Sequence, residues 1–159
     1  MSTLMPCLWF DGRAEEAVTF YTTVFKDSKA LGLTHYGEHG PGPKGTVMTA
    51  SFTLFGQEFL ALNGGPMFQF TPAISFIVNC ENQDEIDHYW EKLSEGGETQ
   101  VCGWLKDKFG VSWQVVPKTM GDLMRGATQA QSGRMMAAVM QMKKIDIAAL
   151  ERAHRGEAA

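Results

Sequence analysis

Residues 102–117 read Cys-Gly-Trp-Leu-Lys-Asp-Lys-Phe-Gly-Val-Ser-Trp-Gln-Val-Val-Pro, and this stretch decides the fold of the chain. The segment from Lys106 to Gly110 predicts a tight turn, because glycine readily adopts the positive φ that reverses a chain. β-Branched and aromatic residues then predict a strand from Val111 to Val116, which ends at Pro117 because proline cannot donate to a ladder. The stretch is therefore a β-hairpin that carries a glutamine, Gln114, among aromatic and β-branched neighbours.

Composition predicts one ordinary globular domain. The chain has 159 residues, of which 44% are hydrophobic and 20% charged. A net charge of −4 gives no electrostatic reason to expect nucleic acid or an anionic membrane as a partner. No apolar stretch approaches the ~20 residues of a membrane span, and the first ten residues lack the basic region of a secretion signal. Three widely spaced cysteines, with no Cys-x-x-Cys pair, fit a reducing compartment, so we expect a cytoplasmic protein.

The chain repeats one plan of strand, helix and three strands. An apolar strand at 4–10 precedes a helical pattern from Ala14, and a second strand at 72–80 precedes a helix that Asn82 and Glu85 begin as a capping box. In the first half, three strand-like segments follow, at 30–36, 46–54 and 58–62. The second half is about 15 residues shorter between helix and hairpin, so its first strand after the helix, near 98–101, must be short.

The remaining segments are a glycine-rich loop and a helical tail. Residues 37–45 contain four glycines and two prolines, which predicts a mobile loop, and the sequence leaves open whether it is a lid. After residue 117 the pattern is helical, with Thr119 expected to cap a short helix and two more helices expected over 134–144 and 146–154. We therefore predict a two-module domain and an extension that packs on it or on a partner subunit. The domain spans residues 1–117, with modules of about 1–66 and 67–117, and the extension spans residues 118–159.

The doubled plan and the hairpin resemble the vicinal oxygen chelate superfamily, which includes glyoxalase I, bleomycin-resistance proteins and extradiol dioxygenases. The motif Asp107-x-Phe109-Gly110-x-x-Trp113 is similar to the turn of that superfamily, with Lys108 in place of its proline. The chain is most similar to the PhnB-like group, whose domain is labelled 3-demethylubiquinone-9 3-methyltransferase. Segments 7–12, 61–66, 102–107 and 140–146 carry this closer likeness. The resemblance implies an α+β fold of paired βαβββ modules whose eight strands curl into a half-barrel around a cavity.

The resemblance also implies where a metal would be bound. Many enzymes of the superfamily hold a divalent metal with His and Glu from four strands, and the metal acts as a Lewis acid. By that resemblance the four positions fall at or near Pro6, Ala50, Ala73 and Gln114. The four histidines, His35, His39, His88 and His154, lie elsewhere in the predicted elements. We therefore expect no metal and no cofactor.

The sequence predicts a binding protein whose ligand is a small apolar or aromatic molecule in the barrel. Aromatic rings would hold the ligand, and amides and a hydroxyl would orient it, although each of these residues has an alternative role in the core or in a turn. The candidate ligand-binding residues are Trp9, Asn63, Ser75, Cys102, Trp104 and Gln114. The methionine-rich tail (Met135, Met136, Met140 and Met142) suggests helix packing across a homodimer interface. The alternatives are a metal-dependent lyase or dioxygenase, the methyl transfer of the domain label, or a scaffold whose cavity is filled.

Overall fold

The structure is a computed structural model that describes residues 2–157 and divides into two compact units, one up to residue 70 and one from residue 71. Among the described residues, no helix is both long and apolar enough to cross a membrane. The elements are β1 (Cys7–Phe10), α1 (Ala14–Val24), β2 (Ser28–His35), β3 (Val47–Leu54), β4 (Gln57–Asn63), β5 (Ser75–Cys80), α2 (Gln83–Ser94), β6 (Glu98–Thr99), β7 (Trp104–Lys106), β8 (Ser112–Pro117), α3 (Lys118–Arg125), α4 (Gln129–Val139) and α5 (Ile147–Arg155).

The first unit is one βαβββ module. Its sheet has the order β1-β4-β3-β2, in which β1 runs parallel to β4 and the other neighbours are antiparallel. Alternate residues of β3, including Phe52 at 0% exposure, are buried on the side where α1 packs. The apolar stripe of α1 predicted from the sequence is buried there, at Ala14, Ala17, Val18, Tyr21 and Val24.

The second unit repeats the module and adds the tail. Its sheet has the order β5-β8-β7-β6, again with one parallel pair, β5 and β8. One face of this sheet packs on α2, with Leu105, Trp113 and Val115 buried. β6 has two residues, so the prediction of a short strand is confirmed. The predicted α+β class, with two βαβββ modules and a helical tail, is confirmed as well.

The tail has its own small core and is tied to the second module. Met135, Val139, Ile145 and Leu150 form a buried cluster between α4 and α5. The side chain of Gln83 on α2 donates to the carbonyl of Ile145 at 3.0 Å and accepts from the amide of Ile147 at 3.0 Å. The predicted methionine cluster is divided, because Met135 is buried whereas Met136 and Met140 are about half exposed.

Two predictions for the tail are wrong in detail. Thr119 does not cap α3, because the helix begins one residue earlier, and the Thr119 hydroxyl is buried without a hydrogen-bond partner in the described structure. The helix expected over 134–144 instead spans Gln129–Val139, because Thr128 and Gln131 form a capping box upstream of the apolar pattern. The first error arises because α3 follows Pro117 directly and has no side-chain cap, and the second because the capping box of α4 lies upstream of its apolar residues.

The glycine-rich loop at 37–45 closes on the ring of Tyr36. The amide of Tyr36 donates to the carbonyl of Thr46, and the amide of Gly45 donates to the carbonyl of Tyr36, both at 2.9 Å. A Cβ on Gly42 would lie 2.4 Å from the Tyr36 ring, so the glycine is required for this close approach. The loop borders a cavity of about 490 Å³ in the first unit.

Candidate ligand-binding site

The hairpin between β7 and β8 is fixed by a buried carboxylate. Asp107 is 2% exposed, and its Oδ1 accepts from the amides of Phe109 at 2.9 Å and Val111 at 3.0 Å. Its Oδ2 accepts from the indole N–H of Trp113 at 2.9 Å. A charged acceptor makes stronger hydrogen bonds than a neutral one, so this carboxylate locks the turn and the tryptophan together. The orientation of Trp113 toward α2 then sends the next side chain, Gln114, to the opposite face.

The face of the second sheet that α2 does not cover carries a row of candidate residues. Gln114 on β8 is in register with Trp104 on β7 and with Ile77 on β5. Gln114 and Trp104 are partly exposed, and Ile77 is 55% exposed. We call this face, defined by the row Trp104–Gln114–Ile77 and by the next pair Val116 and Asn79, the open face. It presents an aromatic ring, an amide and an aliphatic side chain side by side.

The amide of Gln114 is oriented by Ser75. Its Nε2 donates to the Ser75 hydroxyl oxygen at 2.9 Å. An amide has two N–H donors and an acceptor oxygen, and this bond uses one donor. The structure thus brings together three predicted site residues, Ser75, Trp104 and Gln114. Their contact with a ligand stays a prediction.

Cys102 lies at the turn before β7, against the tail. Its φ of 61° is in the left-handed region, where a residue other than glycine is strained. The amide of Cys102 donates to the carbonyl of Met142, and the amide of Gly103 donates to the carbonyl of Lys143, both at 2.8 Å. The Sγ of Cys102 is 3.5 Å from the sulfur of Met140. These contacts give Cys102 a role in holding the tail, and its predicted part in ligand binding is untested.

Two of the three thiols have raised pKa values. Burial raises the pKa of the Cys7 thiol, and burial together with the nearby Glu85 carboxylate raises the pKa of Cys80 to about 12. A thiolate is the nucleophilic form of cysteine, so neither residue is activated for nucleophilic chemistry at neutral pH.

Trp9 in the first unit has its polar atom engaged within that unit. Its indole N–H donates to the carbonyl of Gly65 at 2.8 Å, and its ring meets Phe68 edge to face with centroids 4.9 Å apart. A Cβ on Gly64 would lie 2.3 Å from the indole, so glycine is needed beneath the ring. These contacts leave the ring itself as the part of Trp9 that is able to meet a ligand.

Asn63 serves as the cap of α1. Its Oδ1 accepts from the amide of Ala14 at 2.8 Å, and its Nδ2 donates to Glu15 Oε2 at 3.0 Å and to the carbonyl of Val47 at 3.1 Å. The residue that precedes the helix, Arg13, makes no side-chain cap, so the strand end supplies one. Both donors and the acceptor of the amide are engaged, which makes Asn63 a weaker candidate for orienting a ligand than Gln114.

The residues present do not fit the divalent metal of the superfamily. Pro6 and Ala73 precede β1 and β5, and Ala50 is 1% exposed on the face of β3 toward α1. Neighbouring residues on the other face of β3 are Thr49 and Ser51, which offer hydroxyls rather than carboxylates. Within residues 2–157, no group of three or more His, Cys, Asp and Glu side chains is placed to hold a metal ion.

Sequence reasoning missed two features of this site. It placed Asp107 in the turn and in the motif that ends at Trp113, but it did not predict that the Asp107 carboxylate accepts from the indole of Trp113. It also omitted Ile77 from the candidate residues, although strict alternation from Ser75 places both side chains on one face of β5. The register between β5 and β8, which brings Ile77 beside Gln114, has no local signature because parallel partners are distant in sequence.

The fold of two βαβββ modules is that of the vicinal oxygen chelate class. The chain belongs to the 3-demethylubiquinone-9 3-methyltransferase family, whose sequence model matches residues 2–116. It is similar to a putative 3-demethylubiquinone-9 3-methyltransferase, the PhnB protein, from Bacillus cereus, with 41% identity. That match covers 73% of this chain and 99% of the Bacillus chain, with a TM-score of 0.66.

More distant structures share the fold alone. Protein PA1353 from Pseudomonas aeruginosa is 22% identical over 74% of this chain and 98% of its own, with a TM-score of 0.61. The fosfomycin resistance protein FosX from Listeria monocytogenes is 12% identical over 76% of this chain and 94% of its own, with a TM-score of 0.57. No curated protein matches the chain.

Proposed function

We propose that this protein binds a small molecule without a metal, using the open face of the second sheet. The observation that carries the proposal is Gln114, a partly exposed amide in register with Trp104. The resemblance to the superfamily implies that its metalloenzymes have a glutamate at this position. A neutral amide is a poor ligand for a divalent cation but a good hydrogen-bonding group.

The chemistry of the open face sets the kind of ligand. Trp104 and Ile77 offer apolar area, and aromatic rings supply large contact energies at small entropic cost. Gln114, held by Ser75, supplies the directional hydrogen bond. The ligand is thus apolar or aromatic with at least one polar group. Trp9, Asn63 and Cys102 are further proposed contacts.

Metal analysis of the purified protein tests metal independence. We expect much less than one divalent ion per chain, and a melting temperature that a chelator leaves unchanged. A ligand that binds only the folded state stabilises it, so removal of a bound metal by the chelator would lower the melting temperature. One tightly held ion per chain, lost together with stability, would favour the alternative of a metal-dependent lyase or dioxygenase.

The family name favours a second candidate, methyl transfer. Against it, both sheets here are mixed four-stranded sheets of βαβββ modules, and neither has a glycine-rich loop between a first parallel strand and a helix that would cradle a nucleotide-like methyl donor. Calorimetric titration with S-adenosylmethionine tests this candidate. We expect no heat of binding, whereas micromolar affinity would establish a methyl-donor site.

We also propose a cytoplasmic homodimer. The half-exposed methionines Met136 and Met140 on the tail support an apolar contact with a second copy, and the three cysteines are free thiols, as expected in a reducing compartment. Light scattering at micromolar concentration is expected to give the mass of two chains. A monomeric mass would remove this part of the proposal, and recovery of the protein from an oxidising compartment of its cell would remove the localisation.

A further inference from the structure

A groove of about 480 Å³ adjoins the open face of the second sheet. One side is the sheet itself, at Ile77, Asn79 and Val116, and the other side is α3, at Lys118, Met120 and Arg125. Ile77 is in register with Gln114, and Val116 follows Gln114 by two residues on the same face of β8. The groove therefore begins beside Gln114 and continues from the open face toward the tail.

The helical side of this groove lies beyond the part of the chain that the family model matches. The family match ends at residue 116, and α3 begins at Lys118. No residue of α3 is buried, and its apolar side, Met120 and Leu123, packs against the cluster of the tail. The helix thus contacts both the cluster of the tail and β8, and its residues Lys118, Asp122 and Arg125 bring charged side chains to the groove.

The helical side carries two cations and one carboxylate. Lys118 is paired with Glu81, which does not line the groove, and Arg125 is paired with Asp122, which does. All four side chains are at least half exposed. Exposed ion pairs of this kind contribute little to stability, so a ligand anion is able to replace Glu81 or Asp122 at small cost. A guanidinium also presents paired donors that match a carboxylate, sulfonate or phosphate.

We infer that the extension adds an anion-recognising end to the site, so that the ligand is an amphipathic anion. Its apolar body lies along Trp104 and Ile77, its polar group meets Gln114, and its anionic group meets Arg125 with support from Lys118. This inference rests on the proposed function, because it uses the same open face. Arg125 is then a specificity-determining residue that acts on the charge of the ligand.

Two dyes with one aromatic skeleton test the inference. Anilinonaphthalene sulfonate carries an anionic group, and phenylnaphthylamine is the same skeleton without it. Each is titrated into the full chain, and binding is measured by dye fluorescence. We expect the sulfonate to bind about fivefold or more tightly than the neutral dye, and this preference to fall as salt is raised.

Variants assign the preference to Arg125. Arg125→Gln is expected to weaken binding of the sulfonate about fivefold and to leave the neutral dye unchanged, with Arg125→Lys between the two. Arg155→Gln is the matched control, because Arg155 is an exposed, ion-paired arginine of the same tail that does not line the groove, and it is expected to change neither affinity. Circular dichroism confirms that each variant is folded.

The outcomes separate this inference from the proposed function. If Arg125→Gln changes neither affinity, or weakens both dyes equally, the inference is overturned while binding on the open face stands. If the sulfonate is bound no more tightly than the neutral dye, the inference is overturned as well. If the wild-type protein binds neither dye, both the inference and the proposed function fail.

Discussion

The two modules share one plan but end their last strands differently. In the register of the sheets, Asn63 pairs with Phe10 at the end of the first module, and Pro117 pairs with Cys80 at the same place in the second. Asn63 turns back to cap α1, whereas Pro117 leads directly into α3. The second module has no need of such a cap, because Asn82 already caps α2 from within its own segment.

The same comparison shows that the hydrogen-bonded pair of Gln114 and Ser75 is present in the second module only. Counting from Gly56 and Gly110 in the two hairpins, the residue that corresponds to Gln114 is Leu60. The first module therefore uses its polar side chain at the strand end for structure, and the second places one in the middle of its open face. In these two copies of one plan, Asn63 of the first module is engaged in capping α1, whereas Gln114 of the second module lies on the open face beside Ser75.

The hairpins provide the strongest test of this difference. The first hairpin turns on Phe55 and Gly56, both with positive φ. The second depends on Asp107, so Asp107→Ala leaves three N–H groups without their acceptor and is expected to cost about 3 kcal/mol or more. Urea unfolding measures this cost. Gly56→Ala, which strains a turn with open space around it, is the comparison and is expected to cost only about 1 kcal/mol. Equal costs would contradict the special role of the carboxylate.

The two helix caps give the next largest effect. Asn63→Ala removes a cap and a bond to the carbonyl of Val47, so we expect a loss of about 2 kcal/mol, compared with about 1 kcal/mol for Asn82→Ala. Thermal and urea unfolding compare the two variants. If Asn63→Ala were harmless to stability but reduced dye binding, Asn63 would be a ligand contact rather than a cap.

Gln114→Leu tests the binding face with little effect on the fold. We expect about a tenfold loss of affinity for phenylnaphthylamine, because leucine has methyl groups in place of the amide that makes the directional hydrogen bond. Gln57→Leu makes the same substitution on the corresponding strand of the first module, where the glutamine amide donates to the carbonyl of Glu58, and it is expected to leave affinity unchanged. A similar loss in both variants would show that the effect does not depend on the position of Gln114.

The tie between α2 and the tail has the smallest expected effect. The hydrogen bond from Lys144, and then that from Gln83, lowers the pKa of the Asp87 carboxyl. A lowered pKa means that the charged form stabilises the fold, so the contribution is present above about pH 4 and is lost as the pH falls below it. Because both side chains are well exposed, Asp87→Asn is expected to cost only about 0.5 kcal/mol at pH 7.

Denaturant unfolding between pH 7 and pH 3 checks this dependence. The difference in free energy of unfolding between wild type and Asp87→Asn is expected to shrink as the pH falls below about 4. A difference that stays constant over this range would show that the effect of the substitution does not come from the charge of Asp87.

Local patterns predicted most of this fold, and contacts between distant segments account for the rest. The helices of both modules and the hairpin at 107–111 follow from apolar periodicity, a capping box and glycine, which act over a few residues. The cap of α1 does not, since Asn63 and Ala14 are 49 residues apart in sequence. The start of α4 was misjudged for a related reason, because the apolar period begins after the capping box that starts the helix.

In the candidate site, too, local patterns predicted some features, whereas others depend on contacts between distant segments. Gln114 stands out in the sequence as an amide within a β-branched strand, and the structure places Ser75 beside it. The engagement of the Asn63 amide and the contact of Cys102 with the tail depend on packing between segments that no local pattern relates. The same limit hides the groove, which exists only because α3 lies against the end of β8.

Titration of phenylnaphthylamine into protein freed of metal by a chelator tests the central claim most directly. We expect saturable binding at one site per chain, quenching of tryptophan fluorescence, and loss of both in Trp104→Ala, with no change when Mn²⁺ is added. Binding that appears only after Mn²⁺ is restored, or that is unaffected by Trp104→Ala, would contradict a metal-independent site on the open face.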